Sequence, residues 1–364
     1  MRGWGQAVMR VLGLALYGPL AASTRYRLGQ YVPGLAGHGI ALEVRSLLDD
    51  EYLRRRFSGG RLPLAGMLAK GLHRLGHLRD QRHDVAMLHC ELYPLMPGWL
   101  ERRLLGSTPY VYDFDDAFYL KYRRGGLGVL DRVLGGKFDV VVRNAAAVTA
   151  GNRTLHRYAS ALNPRSTLLP TVVDTDRYVP APRQASRIYT VGWIGSPSTA
   201  PYLDQLIEPL SLLGREGPVR LVVVGGPAPA IAGVDVCEIP WSEASEVELI
   251  NTFDVGVMPL PDDDWARGKC AFKLIQYMAC GVPAIGSPVG ANTDVLQGGC
   301  GFLATTPEQW TDALRRLRDD RELARQMGQA GRERAVAHYS LHLHVPILAE
   351  TLRNAAQGGT PCVA

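Results

Sequence analysis

The chain has 364 residues, 46% hydrophobic and 21% charged, with a formal net charge of +5. That length exceeds what one hydrophobic core usually serves and points to two domains of an ordinary globular protein, excluding collagen-like, low-complexity and largely disordered chains. The mild positive charge favours an anionic ligand or surface but is too small to indicate nucleic acid.

The first apolar run, "VLGLALYG" (11–18), follows Arg10 and so imitates a secretory leader. It is short and broken by Gly13, which makes it a buried strand entering a Gly-Pro turn. "STRYR" (23–27) then opens a helix, with Ser23 or Thr24 as cap and Arg25 directed either at a bound diphosphate or at a surface carboxylate. A strand at 40–47 is followed by a basic segment with apolar spacing at 51–84. That segment could lie on anionic lipid or form a surface helix with a wet arginine face. Strands are expected at 85–90, with His89 and Glu91 at its end, and at 109–116, which ends in Asp113, Asp115 and Asp116. Two more are expected at 138–144 and 146–152. The polar, proline-bearing stretch 171–187 closes a first domain at residue 178 and leaves 179–187 as a linker. The strand series restarts at 188–196, 219–226, 253–260 and 282–290, giving a second domain over 188–338, and an amphipathic segment occupies 339–364. Continuous apolar strands alternating with helical patterns predict an α/β protein of two doubly wound parallel sheets. No stretch reaches the ~20 apolar residues of a membrane span. The six cysteines include no C-x-x-C pair, which argues against a zinc site or disulfide framework and for reduced thiols in a cytoplasmic protein.

In such sheets ligands sit beyond the carboxyl ends of the strands. The glycine-bearing strand ends include "WIGSPS" and "SPVGAN" but no G-x-G-x-x-G and no G-x-x-x-x-G-K-[ST], which demotes a nicotinamide enzyme or a P-loop NTPase. The stretch "GKCAFKLIQYMACGVPAIGSPVG" (268–290) carries Lys269 and Lys273, in a chain whose only other lysines are Lys70, Lys121 and Lys137. "FKLIQYM" has helical spacing and Gly281 with Pro283 ends it. A lysine in a first helical turn opposes the helix dipole unless an anion binds at the same amides, so Lys273, with Lys269 just before it, points to a phosphate. Gln276 stands one turn on and is either a ribose contact or a helix-surface glutamine.

These residues carry a resemblance. "FKLIQYMACGVPAIGSPVGANTDVL" is similar to the nucleotide-sugar motif of retaining GT-B glycosyltransferases of family four. "TVGWIGSPSTAPYL" (190–203), "LLPTVVDTDRY" (168–178) and "LYGPLAASTRYRLGQYVPGLAGHGIALEV" (16–44) resemble that family's second-domain phosphate loop, its linker and its first strand, loop and helix, so the resemblance runs along nearly the whole chain. It implies two Rossmann-like domains facing across a cleft, with a final helix crossing back to the first. It implies transfer from a nucleotide diphosphate sugar, UDP or GDP, to a glycan, lipid-linked or small-molecule hydroxyl acceptor, with retention and without metal or further cofactor. The location would be cytoplasmic or peripheral at the inner membrane face. Lys273 and Lys269 would neutralise the departing diphosphate. Gly195, Ser196, Gln276, Gly290, Ala291, Asn292 and Arg25 would hold the donor. Asp113, Asp115 and Asp116 would face the acceptor, binding its hydroxyls or taking its proton. An Asp-x-Asp can also hold a metal in the other glycosyltransferase fold, and one of these carboxylates could instead cap the next helix. The motif departs from the family where Gln276 and Gly268 replace glutamates. That leaves a nucleotide-sugar epimerase of the same fold, and a catalytically silent sugar-nucleotide binding protein, as alternatives.

Overall fold

The computed structural model describes residues 8–60, 64–80, 82–123, 128–182 and 186–358. It divides into two compact units, Met1–Thr171 with Leu341–Ala364, and Val172–Ser340. In the first unit β1 (Met9–Tyr17), β2 (Ile40–Leu48), β3 (Val85–His89), β4 (Tyr110–Phe114), β5 (Ala147–Ala150) and β6 (Ser166–Leu168) form one sheet in the order β2-β1-β3-β4-β5-β6. In the second, β7 (Tyr189–Ile194), β8 (Val219–Val224), β9 (Asp235–Ile239), β10 (Val255–Met258), β11 (Ala284–Gly286) and β12 (Gly301–Leu303) follow the order β12-β11-β10-β7-β8-β9. Every strand pairing is parallel.

Inner strands β3, β4, β5, β10 and β11 are buried along their whole length, as continuous apolar runs between two helical layers should be. The N-terminal run is strand β1, pinned on both sides by β2 and β3. Three strands lie outside the sequence expectation, β6, β9 and β12, and each is a sheet edge. Their residues are partly exposed, so they lack the apolar signal that betrays an inner strand. The expected strand at 138–144 is instead the helix Lys137–Asn144. Phe138, Val141 and Val142 are its buried face, at i, i+3 and i+4, while Arg143 and Asn144 are exposed; that period is helical.

The helix Leu341–Ala356 belongs to the first unit, where it packs on the helix Tyr31–Gly37 and on β3, β4 and β5. It buries Val345, Leu348 and Leu352. A Cβ on Gly34 would fall 2.7 Å from Val345 Cγ2, so the two helices touch nearly backbone to side chain. Among the described residues no helix is long and apolar enough to cross a membrane.

Candidate functional site

Chain order reverses across the second sheet between β7 and β10, with β8 and β9 to one side and β11 and β12 to the other. The ends of strands at such a reversal leave a crevice in which ligands bind. Here β7 and β10 pair at Val191 with Val255 and at Gly192 with Gly256. Beyond that pairing Tyr277, from the helix Phe272–Ala279, fills the gap. Its Oη accepts from the Ile194 amide at 3.1 Å and donates to the Val257 carbonyl at 3.4 Å. A Cβ on Gly256 would lie 2.3 Å from the Tyr277 ring, so only glycine lets the helix come this close.

The close approach delivers Lys273 to the end of β7. Its ammonium lies 5.2 Å from the centre of the Trp193 ring. A Cβ on Gly195 would be 2.8 Å from Lys273 Cε. Ser196 follows, its hydroxyl 2.8 Å from that of Ser198. Lys269 is half-buried in the loop ahead of the helix. That loop turns at Ala271, a buried residue in the left-handed region with φ 55°, a conformation uncommon outside glycine and asparagine. Gly290 also has φ 55°, and a Cβ there would lie 2.6 Å from the Arg267 carbonyl oxygen. The end of the helix Asp264–Arg267, from which the 268–271 loop departs, therefore meets the 287–292 loop. Asn292 is buried; its amide donates to the Ser287 carbonyl at 3.0 Å, and among the described residues its Oδ1 has no hydrogen-bond partner. Ala291 is buried beside it. Gly195, Lys273, the Lys269 loop and Gly290 are thus gathered at one sheet edge. The nearby acidic run is a capped turn: Asp263 accepts from the Ala266 amide at 2.7 Å, and Arg267 pairs with Asp262 and Asp264, each at 2.9 Å.

Gln276 departs from its expected place on a ribose. It is buried, and its Nε2 donates to Glu246 at 3.0 Å and to the Tyr178 hydroxyl at 3.1 Å. Glu246, also buried, accepts from Trp241 Nε1 at 2.5 Å and from the Tyr178 hydroxyl. The amide is a structural donor to a buried carboxylate 30 residues away in sequence, a partner no local spacing reveals.

In the first unit the strand register sets His89 opposite Asp113 and Asp113 opposite Thr149. Asp113 receives Arg27 through Nε at 3.0 Å and Nη2 at 2.5 Å, His89 Nδ1 at 2.8 Å and Thr149 Oγ1 at 2.6 Å. All four side chains are buried. Burial alone would raise the Asp113 pKa, but the charge of Arg27 and the hydrogen bonds from His89 and Arg27 hold it well below the usual carboxylate range. An Asp113 facing the acceptor is therefore corrected. Its carboxylate is inaccessible and fully engaged, and its work is to hold Arg27 and orient His89. The other ring nitrogen of His89, Nε2, is not engaged by Asp113. Among the described residues that atom has no hydrogen-bond partner, and it lies 3.7 Å from Asp115 Oδ1. Asp115 and Asp116 are only partly buried, one step beyond the strand end. A His89 nitrogen, the Cys90 sulfur and an Asp115 oxygen lie within 4.8 Å of one another. Burial first, then the surrounding carboxylates, pushes the Cys90 thiol far up.

Arg25 is a second correction. Its guanidinium folds back on its own turn, donating to the carbonyls of Pro19 at 2.7 Å and Leu20 at 2.9 Å. Arg27, two residues on, is the one that reaches the sheet edge. Asn152 caps the helix Arg153–Ser160 through the Leu155 amide at 2.8 Å. Arg27, Thr149, Glu246 and Tyr277 are absent from the sequence reading. Only the row His89–Asp113–Thr149 had a usable signal, since each residue closes or nearly closes an apolar run.

Comparison with known proteins bears on this edge. Residues 187–320 match the model of the family Glycosyl transferases group 1. Among curated proteins no relative matches the sequence. Sucrose-phosphate synthase of Thermosynechococcus elongatus superposes with a TM-score of 0.68 at 16% identity, over 95% of this chain and 98% of that one. HepE of Anabaena, solved with UDP and glucose, gives 0.67 at 14% identity over 95% and 99%. WaaG, a glycosyltransferase involved in lipopolysaccharide biosynthesis, gives 0.66 at 16% identity over 94% and 99%. At these identities the structural likeness establishes the fold.

Proposed function

This chain carries a group 1 glycosyltransferase domain within a GT-B fold, and on that premise we propose that it moves a glycosyl group from a nucleotide diphosphate sugar to a hydroxyl acceptor. The observation that carries the reading is the position of Lys273 against Gly195 and Trp193 at the chain reversal of the second sheet. A diphosphate seated on the backbone after β7 and on the first turn of Phe272–Ala279 would meet backbone donors, a helix dipole and an ammonium together. As the glycosidic bond to the diphosphate breaks, negative charge grows on the leaving phosphate oxygen. Lys273, with Lys269 from the preceding loop, would stabilise that charge more than the ground state, which is what accelerates a step.

Gly290, Ala291 and Asn292 would border the sugar, with Gly195 and Ser196 beside the phosphates. Asp115 and Asp116, with His89 Nε2 beneath, would serve the acceptor hydroxyl. Retention at the anomeric carbon, independence of added metal and a cytoplasmic setting belong to the same proposal. The free thiols of Cys90, Cys237, Cys270, Cys280 and Cys300 support the setting. HepE, solved with UDP and glucose, puts uridine nucleotides first among donors to try.

The test is thermal stabilisation by UDP, GDP, dTDP and ADP and their sugars. A ligand at about 100-fold over its Kd should stabilise the fold by about 2.7 kcal/mol. Lys273→Ala should abolish the response while melting near the wild type; an unchanged nucleotide affinity would remove Lys273 from the role. Turnover of the stabilising donor is then followed by NMR with and without EDTA. Product of the donor's own anomeric configuration, formed equally in both, supports the full reading. Epimerised donor, or binding without turnover, would replace it with one of the alternatives.

A further inference from the structure

At the end of β3 three ligand-bearing side chains converge. Successive side chains of a strand point to opposite faces, so His89 and Cys90 would ordinarily diverge. Cys90 instead leaves the strand in the left-handed region, with φ 67°. Two hydrogen bonds hold it there: its amide donates to the Asp113 carbonyl at 3.1 Å, and its carbonyl accepts from Tyr112 Oη at 2.8 Å. A His89 ring nitrogen, the Cys90 sulfur and an Asp115 oxygen consequently lie within 4.8 Å of one another. His89 is 1% exposed and Cys90 2%. The imidazole is fixed from behind. Its Nδ1 is 2.8 Å from Asp113, and that carboxylate is itself held by Arg27 and Thr149 Oγ1. Its Nε2 lies on the Asp115 side, 3.7 Å from Oδ1, and among the described residues has no hydrogen-bond partner.

A histidine that ligates a metal almost always gives its second nitrogen to a carboxylate or carbonyl, which sets the tautomer and aims the lone pair. Asp113 stands in that place behind His89, and the thiol and the Asp115 carboxylate stand in front. Two ligands each 2.0–2.1 Å from a tetrahedral ion are about 3.4 Å apart, close to the 3.7 Å between Nε2 and Asp115 Oδ1. One nitrogen, one sulfur and one oxygen suit zinc, whereas magnesium and calcium take oxygen ligands. Three protein ligands leave a fourth position for solvent, as in open zinc sites. The charges acting most on the sulfur are the carboxylates of Asp115, Asp113, Glu91 and Asp116, a setting that favours a cation. No C-x-x-C marks such a site, because its ligands are two adjacent residues and a carboxylate from the end of the neighbouring strand.

We propose that His89 Nε2, Cys90 Sγ and the Asp115 carboxylate bind a zinc-class divalent cation, and that the bound ion blocks the acceptor. Binding forms a sulfur–metal bond and releases the thiol proton to solvent. The second half rests on the glycosyl-transfer reading; the first does not. Under that reading the ion occupies groups assigned to the acceptor hydroxyl, so it is a brake on transfer and no part of it.

The full-length protein, stripped with EDTA and dialysed, is titrated with Co2+ and then with Zn2+. A single Co2+ per chain should give the near-ultraviolet charge-transfer band of a thiolate ligand, and Zn2+ should displace it. Cys90→Ser should abolish the band, and His89→Gln should weaken Zn2+ binding at least about tenfold. Cys237→Ser, which changes a thiol elsewhere, should leave both intact. Melting of the metal-free variants checks that they fold. Absence of the band in the wild type, its survival in Cys90→Ser, unchanged affinity in His89→Gln or its loss in Cys237→Ser would each overturn the site. Zn2+ should inhibit transfer by the wild type in competition with acceptor, with EDTA restoring the rate; inhibition that acceptor does not relieve would remove the second half. Nucleotide stabilisation is measured in parallel. The cobalt band without it preserves the metal site and sinks the donor reading, and the reverse result sinks only the site.

Discussion

Glu246 gives a physical reason for the glutamine at position 276. A glutamate there would set a second carboxylate within hydrogen-bond distance of the buried Glu246. Burial and like charge both disfavour that arrangement. Gln276→Glu should destabilise the protein by about 1–3 kcal/mol near neutral pH in urea unfolding. The new carboxyl would have a raised folded pKa, so the loss should shrink as the solution is acidified below that value. Adding Glu246→Gln should restore most of the stability, since one donor amide then again faces one carboxylate. A double variant weaker than the single would show that the pair does not act as a unit. The same reasoning explains why position 276 could be picked out in the sequence and its partner could not. Helical spacing shows which residues share a face, whereas Glu246 is brought in by the fold.

At the scale of elements, the hub of Glu91, Lys137 and Glu101 ties the loop after β3 to the helices Gly98–Leu105 and Lys137–Asn144. Burial pushes the Glu101 carboxyl up to about 7, against the pull of Lys137. Its folded pKa thus exceeds its ordinary value of 4.5, so the stability tied to its protonated form is complete below 4.5 and is lost as pH rises through about 7. That part of the pH dependence should amount to a few kcal/mol, on the order of the shift itself. Glu101→Gln should flatten it in urea melts taken across the window, and a variant that tracks the wild type would show that the slope arises elsewhere. The lysine here is buried because its helix is a helix. A strand over 138–144 would give Lys137 no reason to turn inward; the helix buries it with Phe138, Val141 and Val142.

For the whole molecule, the first unit is built from both ends of the chain. The helix Leu341–Ala356 buries Val345, Leu348 and Leu352 against it, and each such side chain is worth about 1.5–3 kcal/mol. Their sum rivals the 5–15 kcal/mol margin of a typical domain. A chain ending at Ser340 should therefore lose hydrogen-exchange protection in β3, β4 and β5, while β7, β10 and the helix Phe272–Ala279 stay protected and still respond to nucleotide. Loss of protection in both units together would mean that they fold as one.

Two parallel sheets, most of their inner strands, and the lysine-bearing helix at 272–279 were determined by the sequence alone. Apolar periodicity, glycine and proline are local properties, and they survive without knowledge of what packs on them. Edge strands, the helix at 137–144, and the partners of Asp113, Gln276 and Arg27 were decided only by tertiary structure. Strand register set His89, Asp113 and Thr149 in one row, and burial then turned an expected acceptor carboxylate into a closed ion pair with Arg27. A charge's role depends on which charges and dipoles lie within a few ångströms of it, and along this chain those neighbours are tens of residues apart.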